Sequence, residues 1–452
     1  MGAIRALRLR GGVRGGGLLI AIVICWVSAS PARAIPAFAR KYQTSCQTCH
    51  IAFPALTPFG EAFRLNGYRF PAGTDSSVTK NEPVSLGAEG YKKLWPRTVW
   101  PGEISGLPPV SFVIESELAY DRASRDTSFD GLGGEFAILT GGTFGDHLSF
   151  YGETEFESAN GEIETSLERL NIQFRPFSTP AFQFKIGSFE PGVFLASDHR
   201  RLTDHKHLAL REQIGDNAFA LEPNQKGIEF FGVAAHRILY NVGYIEGRGN
   251  ESNNAKDVYG RLAYKLGGMR LDGTTPGSTT SGLPSNPKPW SEVSVTFSAF
   301  VYKGRPLLSS TDTVLMNDPN TNIVSPVETT TSQNDPFTMY GGDIAINLKD
   351  LIISAGATTR RDRRPFLSDP TIVNFQSNSR WVELDWVALP WLIPASRWEE
   401  IDVEGGTKAR ISLTLQFLVR ANVRAFLAAD RVQEPKGDFT TEEVVGGVVF
   451  GM

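Results

Sequence analysis

Residues 411–417 read Ile411-Ser412-Leu413-Thr414-Leu415-Gln416-Phe417, with apolar and polar side chains in strict alternation. Successive residues of an extended strand point to opposite faces, so this period of two makes one face apolar and the other polar. The same period returns at Phe112, Ile114, Leu118 and Tyr120, at Leu148, Phe150 and Phe156, and at Phe182, Phe184 and Ile186. It returns again at Val293, Val295, Phe297 and Val301. Each run extends about ten residues, the length of a tilted strand that crosses a bilayer. Short connections separate several runs, at Gly145-Asp146, Lys349-Asp350 and Ala421-Asn422. Long polar connections separate others, over 267–289, 304–335 and 361–379.

This layout predicts a mainly β protein: a transmembrane antiparallel barrel of roughly 14–16 strands over residues 109–452, with short turns at one end and long loops at the other. A propeller would show blade-length repeats, and none is found. A soluble sandwich alternates in the same way, because periodicity does not say which face is wet. The number of runs, the lack of a helical covering layer and the turn asymmetry favour the membrane. Trp290, Trp381, Trp386, Trp391 and Trp398 are expected in interfacial girdles. An acidic row, Glu115, Glu117, Asp121, Glu153, Glu155 and Glu157, is read as inward-facing. It would give part of the lumen a field that concentrates cations; an ordinary polar porin lumen is the other reading.

Ahead of the barrel stands a different kind of sequence. Residues 46–50 read Cys-Gln-Thr-Cys-His, the attachment signature of a covalent c-type haem. In this reading Cys46 and Cys49 bind the porphyrin through thioethers and His50 ligates the iron. A disulfide, a redox dithiol or half of a zinc site would use the same residue types. The chain has three cysteines, and Cys25 falls in a segment expected to be removed. A zinc site would then need distant ligands, and a thioredoxin-like dithiol would need a βαβ surround that is not visible. Residues 53–68 read as one short helix with Thr57 as N-cap, Pro58 at the first position, Glu61 in the first turn and Gly67 as the stop. Phe59, Ala62 and Phe63 share a face, expected on the haem edge or on the neighbouring domain.

Residues 1–34 read as a secretory signal peptide. Arg5, Arg8, Arg10 and Arg14 precede the apolar run Leu18 to Val27, and Ala32-Arg33-Ala34 is a small-x-small cleavage site. The run is too short to span a bilayer, and no Arg-Arg pair marks twin-arginine export, so a Sec-type route is expected. Loss of five arginines with this segment takes the formal charge from −4 to −9. That balance argues against nucleic acid as a partner. Residues 35–108 form the haem segment. It holds no methionine and no histidine besides His50, so nothing in it supplies a sixth iron ligand. His199, His205 and His207 are the remote candidates, with three solvated loop histidines as the plainer reading.

The motif at 46–50, Phe-Pro-Ala-Leu-Thr-Pro-Phe-Gly at 53–60 and Phe-Arg-Leu-Asn-Gly-Tyr at 63–68, followed by a porin-like region, resemble the fused outer-membrane monohaem cytochrome–porins. The best-known members are iron-oxidising cytochromes of iron bacteria. The close match covers about residues 36–70; beyond it the likeness is architectural. The resemblance implies one covalent haem c on Cys46, Cys49 and His50. It implies an outer-membrane conduit that takes electrons from an extracellular donor, with Fe(II) the candidate, and passes them to a periplasmic carrier. The activity would be that of a ferrous-iron:cytochrome oxidoreductase, in contact with outer-membrane lipid. A hydrocarbon core about 30 Å thick insulates its two sides, and a haem inside the pore shortens the path from both. Two rival readings stand beside it: a haem-plugged porin for solute passage, and a soluble periplasmic haem protein with a β-domain.

Overall fold

The computed structural model describes residues 37–71 and most of 109–452. Residues 1–36, most of 72–108, the stretches 130–134, 160–161, 248–254, 275–286 and 318–323, and a few single positions are outside the description. The signal peptide expected at 1–34 therefore lies outside the described residues.

Among the described residues, sixteen long strands close into one antiparallel barrel. They are β1 (Val110–Asp121), β2 (Glu135–Phe144), β3 (Leu148–Ala159), β4 (Glu162–Phe174), β5 (Gln183–Phe189), β6 (Gln225–Ala234), β7 (Ile238–Ile245) and β8 (Asp257–Gly267). There follow β9 (Glu292–Gly304), β10 (Phe337–Lys349), β11 (Leu351–Asp362), β12 (Phe375–Trp386), β13 (Leu392–Val403), β14 (Gly406–Arg420), β15 (Val423–Gln433) and β16 (Thr440–Gly451). Neighbours pair in chain order, and β16 closes on β1 with Val444 opposite Tyr120 and Phe450 opposite Ile114. The long polar connection expected over 304–335 is built as a hairpin of Leu307–Asn317 with Val324–Asn334, a separate two-stranded sheet.

The structure settles which face is wet. Leu262, Val293, Phe297, Val301, Leu413 and Leu415 are exposed, while Arg261, Ser294, Thr296, Ser298, Ser412 and Thr414 beside them are buried. The barrel is apolar outside and polar inside, the inverse of a soluble sheet protein. Each large apolar chain left in water forgoes about 1.5–3 kcal/mol of burial, so a belt of this kind is stable only against hydrocarbon. The tryptophans divide. Trp386, Trp391 and Trp398 are exposed on the belt, whereas Trp290 and Trp381 are buried. Three of the five tryptophans expected in the girdles thus stand on the outer face. Trp381 packs edge-on against His207 in the lumen, and Trp290 Nε1 donates to Asp350 at 2.9 Å.

Short turns join strands at the end where Val110 and Gly451 lie, at 145–147, 235–237 and 421–422. The connection from β8 to β9 is at this same end, not at the long-loop end where it is expected. Its first residues brace the N-terminal segment. Met269 packs on the aromatic cluster of that segment, and Asn66 Nδ2 donates to the Asp272 carbonyl at 3.1 Å. A Cβ on Gly273 would lie 2.3 Å from Pro71 Cγ, and φ there is +78°. From the opposite end the 190–224 connection between β5 and β6 folds into the lumen, where Phe194 and Phe219 join Tyr259, Phe300 and Tyr302 in a buried cluster.

Candidate haem site

The N-terminal segment plugs the short-turn end. Its helices are α1 (Ala37–Tyr42) and α2 (Pro58–Leu65), with a single 3-10 turn at Cys46–Thr48 between them. Leu65 packs on Phe231, Val233 and Leu239 of the barrel wall. The Leu65 carbonyl accepts from Gln183 Nε2 at 2.6 Å, Arg69 Nη2 donates to the carbonyls of Gly145 and Leu148 at 2.7 and 2.6 Å, and Ala37 N donates to Ser111 Oγ at 2.7 Å. Tyr42, Phe59, Phe63 and Phe70 form the segment's own core.

The sequence around the motif explains its shape. Thr57 is the N-cap of α2: its Oγ1 accepts from Gly60 N at 3.1 Å, as read from the sequence, and also donates to the Thr48 carbonyl at 2.9 Å. Thr57 N donates to the Cys49 carbonyl at 2.9 Å. Gly67, at φ +70°, ends the helix. Gly60 is needed because a Cβ there would lie 2.0 Å from the Cys49 carbonyl oxygen. The Thr-Pro-Phe-Gly stretch is thus the backing plate of the Cys-x-x-Cys-His loop. The face expected on one surface divides: Phe63 lines the cavity described next, Phe59 lies in the aromatic core, and a Cβ on Gly273 would lie 3.2 Å from Ala62 Cβ.

Cys46, Cys49 and His50 line a cavity of about 1550 Å³, part of it open to solvent. The barrel completes it with Phe112 and Val113, Leu139 and Thr140, Leu418, and Ala421 to Arg424. His50 Nδ1 lies 3.3 Å from the Pro54 carbonyl. A carbonyl only accepts, so Nδ1 carries the proton and Nε2 keeps its lone pair. Burial lowers the His50 pKa to about 4 against the raising effect of the Pro54 and Ala55 backbone, so the ring is neutral. Burial also pushes the Cys49 thiol up to about 12, with Cys46 adding to the effect. A redox dithiol or a zinc thiolate needs the opposite shift. Four guanidiniums line the cavity as well: Arg64, Arg169, Arg200 and Arg424.

These features fit a c-type haem: paired sulfurs, a neutral imidazole with Nε2 free, and apolar walls. The arginines are what sequence reading misses. Each sits within an ion pair: Arg64 with Glu61 at 2.6 Å, Arg200 with Glu190 at 2.9 Å, Arg424 with Glu115 at 3.6 Å, and Arg169 with Glu153. Burial alone would raise Glu61; the adjacent Arg64 more than offsets it and holds the carboxyl at about 2. Two members of the expected acidic row, Glu115 and Glu153, face Arg424 and Arg169, so the lumen there is less acidic than the row alone implies. The signal was present in the alternation, which puts Arg169 on the buried face of β4.

The three remote histidines separate. His199 lines the cavity. His205 Nδ1 pairs with Asp430 at 2.5 Å, and His207 Nε2 lies 3.8 Å from Glu383.

No protein-family model matches the chain, and no curated protein matches it in sequence. Among solved structures it is similar to a loop-deletion form of OmpT, an outer membrane protein of Vibrio cholerae, at 12% identity over 76% of this chain and 98% of that one, with a TM-score of 0.48. It is similar to an anion-selective porin from Comamonas acidovorans at 10% identity, covering 76% and 98%, TM-score 0.48. It is also similar to OmpF of Salmonella typhi in complex with daunomycin at 10% identity, covering 78% and 98%, TM-score 0.49. Likeness at this level assigns neither ligand nor activity; the porin-like barrel itself stands on its closed strand order and its inverted faces.

Proposed function

We propose that this chain is an outer-membrane electron conduit carrying one covalent haem c, which takes electrons from an extracellular donor, with Fe(II) the favoured substrate, and delivers them to a periplasmic carrier. The observation that carries the reading is one cavity in the barrel mouth that holds Cys46, Cys49 and His50 on the plug and an apolar wall on the barrel. When bound, haem supplies a one-electron couple whose potential is set by axial ligands and burial. The chain's own residues do the rest. Cys46 and Cys49 would tether the group, and His50 would offer Nε2. The cavity lies at the short-turn end, which in outer-membrane barrels faces the periplasm, beside the expected acceptor.

Anaerobic addition of ferrous iron to the detergent-purified protein tests this. Appearance of the reduced-haem absorption bands is expected. Reduction by dithionite but not by iron would remove iron as the donor. The barrel also favours a second reading, a solute porin with a plug. That reading expects solute flux through Cys46→Ala protein equal to wild type; the conduit reading expects loss of electron transfer in the same variant.

A further inference from the structure

The haem reading leaves the second axial position of the iron without a donor from the plug, and the structure brings one from elsewhere. Of the chain's six histidines, His50 and His199 line the cavity; His147, His205, His207 and His236 do not. None of the described methionines lines it. Met269 touches the aromatic core that holds Cys49 but stays behind it.

The other histidines have fixed work. His205 is held between Asp430 and Asp204, at 2.5 and 3.5 Å. His207 sits edge-on against Trp381, with ring centroids 5.0 Å apart. His236 Nδ1 lies 2.5 Å from Asp272. Tyr42, Tyr68 and Tyr151 also line the cavity, but the Tyr42 hydroxyl donates to Asp75 at 2.5 Å, Tyr68 stacks on Phe38 and Tyr151, and Tyr151 accepts from Arg169.

His199 is positioned differently. It lies on the 190–224 connection that enters the lumen from the long-loop end. Its backbone N–H donates to Ser197 Oγ at 3.2 Å, which fixes the turn. Asn224 Nδ2 lies 3.2 Å from His199 Nε2. An amide donates there, so Nε2 bears the lone pair. A metal bond at Nε2 would replace this hydrogen bond.

We propose that His199 is the second axial ligand of the haem iron, so that the site is a bis-histidine centre with one ligand from the plug and one from the inward-folded connection. The inference rests on the haem reading and deepens it. Both ligands would then be imidazoles, and the iron would tie together two parts of the chain that enter the barrel from opposite ends.

Near-infrared magnetic circular dichroism of the ferric, detergent-purified holoprotein tests the assignment. The wild type is expected to give a six-coordinate low-spin spectrum with a bis-imidazole charge-transfer band and no binding of carbon monoxide when reduced. His199→Ala is expected to lose that band, turn high-spin and bind carbon monoxide. Added imidazole should restore the low-spin spectrum, which shows that the variant is folded. His199→Met should keep the low-spin state with a sulfur–iron band in place of the bis-imidazole band. His205→Ala and His207→Ala should leave the spectrum unchanged. A bis-imidazole band retained in His199→Ala, a sulfur–iron band in the wild type, or a high-spin wild type would overturn the proposal while leaving covalent haem in place. Absence of covalent haem in the wild type would instead overturn the reading on which it rests.

Discussion

Gly60 has no room for a methyl group, and the reason is the Cys49 carbonyl 2.0 Å from where that carbon would be. Gly60→Ala therefore forces α2 away from the Cys-x-x-Cys-His loop. Overpacking of this kind costs about 1–3 kcal/mol, and it falls on the plug, not on the barrel. We expect Gly60→Ala to assemble as a barrel with much reduced haem content, measured by the ratio of Soret to protein absorbance. Normal haem loading would contradict the account of this glycine. Thr57→Ala should lose about 1 kcal/mol of capping plus the bond to the Thr48 carbonyl, and Thr57→Ser should restore both. These residues were legible before the structure: Thr57, Pro58 and Gly67 are read correctly from spacing alone, because capping chemistry is local. The reason for Gly60 was not, since the carbonyl it clears becomes its neighbour only when the loop folds back.

The inward-folded connection is held at the scale of an element, by buried charge. Arg397 Nη1 donates to Thr203 Oγ1 at 2.6 Å and to Glu383 at 3.1 Å. Glu399 accepts from Leu208 N at 2.7 Å and from Arg410 Nη2 at 2.7 Å, and Gln416 Nε2 donates to the Leu202 carbonyl at 2.8 Å. Removing one partner of such a network costs about 3–5 kcal/mol. Arg397→Ala should release residues 202–208, seen as faster amide exchange there with the barrel strands still protected; unchanged exchange would show that the network does not hold the connection. His205 adds a pH dependence. Burial alone would depress it, but hydrogen bonds to Asp204 and Asp430 and the charge of Asp430 more than offset that and raise it to about 9. A raised pKa stabilises fully below the ordinary value near 6.5 and is lost as pH climbs through 9. Exchange at residues 202–208 should therefore rise between pH 6.5 and 9, and His205→Gln should flatten that rise. Sequence reading placed three histidines close together but gave them one role; the partners of His205 and His207 lie on β15 and β12, far away in the chain.

The whole molecule turns a soluble protein inside out, and that is the feature sequence periodicity could not decide. The alternation at 411–417 was legible as a strand; only closure of β16 on β1 makes Leu413 and Leu415 outward and Ser412 and Thr414 inward. The bracing role of residues 269–273 escaped reading for a similar reason, since their contacts are with the plug, far away in the chain. A charge on the belt tests the inversion. Leu262 is 59% exposed near the middle of β8, so Leu262→Arg should cost about 2–4 kcal/mol at the bilayer midplane and lower the folded fraction in lipid. A surface leucine of a soluble protein would tolerate it. The central claim, that electrons cross the barrel through its haem site, is tested most directly in sealed liposomes. The protein is inserted with its long-loop end outward, a soluble c-type cytochrome is trapped inside, and ferrous iron is added outside without oxygen. The account predicts reduction of the trapped cytochrome by wild type and none by the Cys46→Ala, Cys49→Ala variant. Equal reduction by both would mean that iron passes through the pore itself, and no reduction by haem-loaded wild type would contradict the conduit.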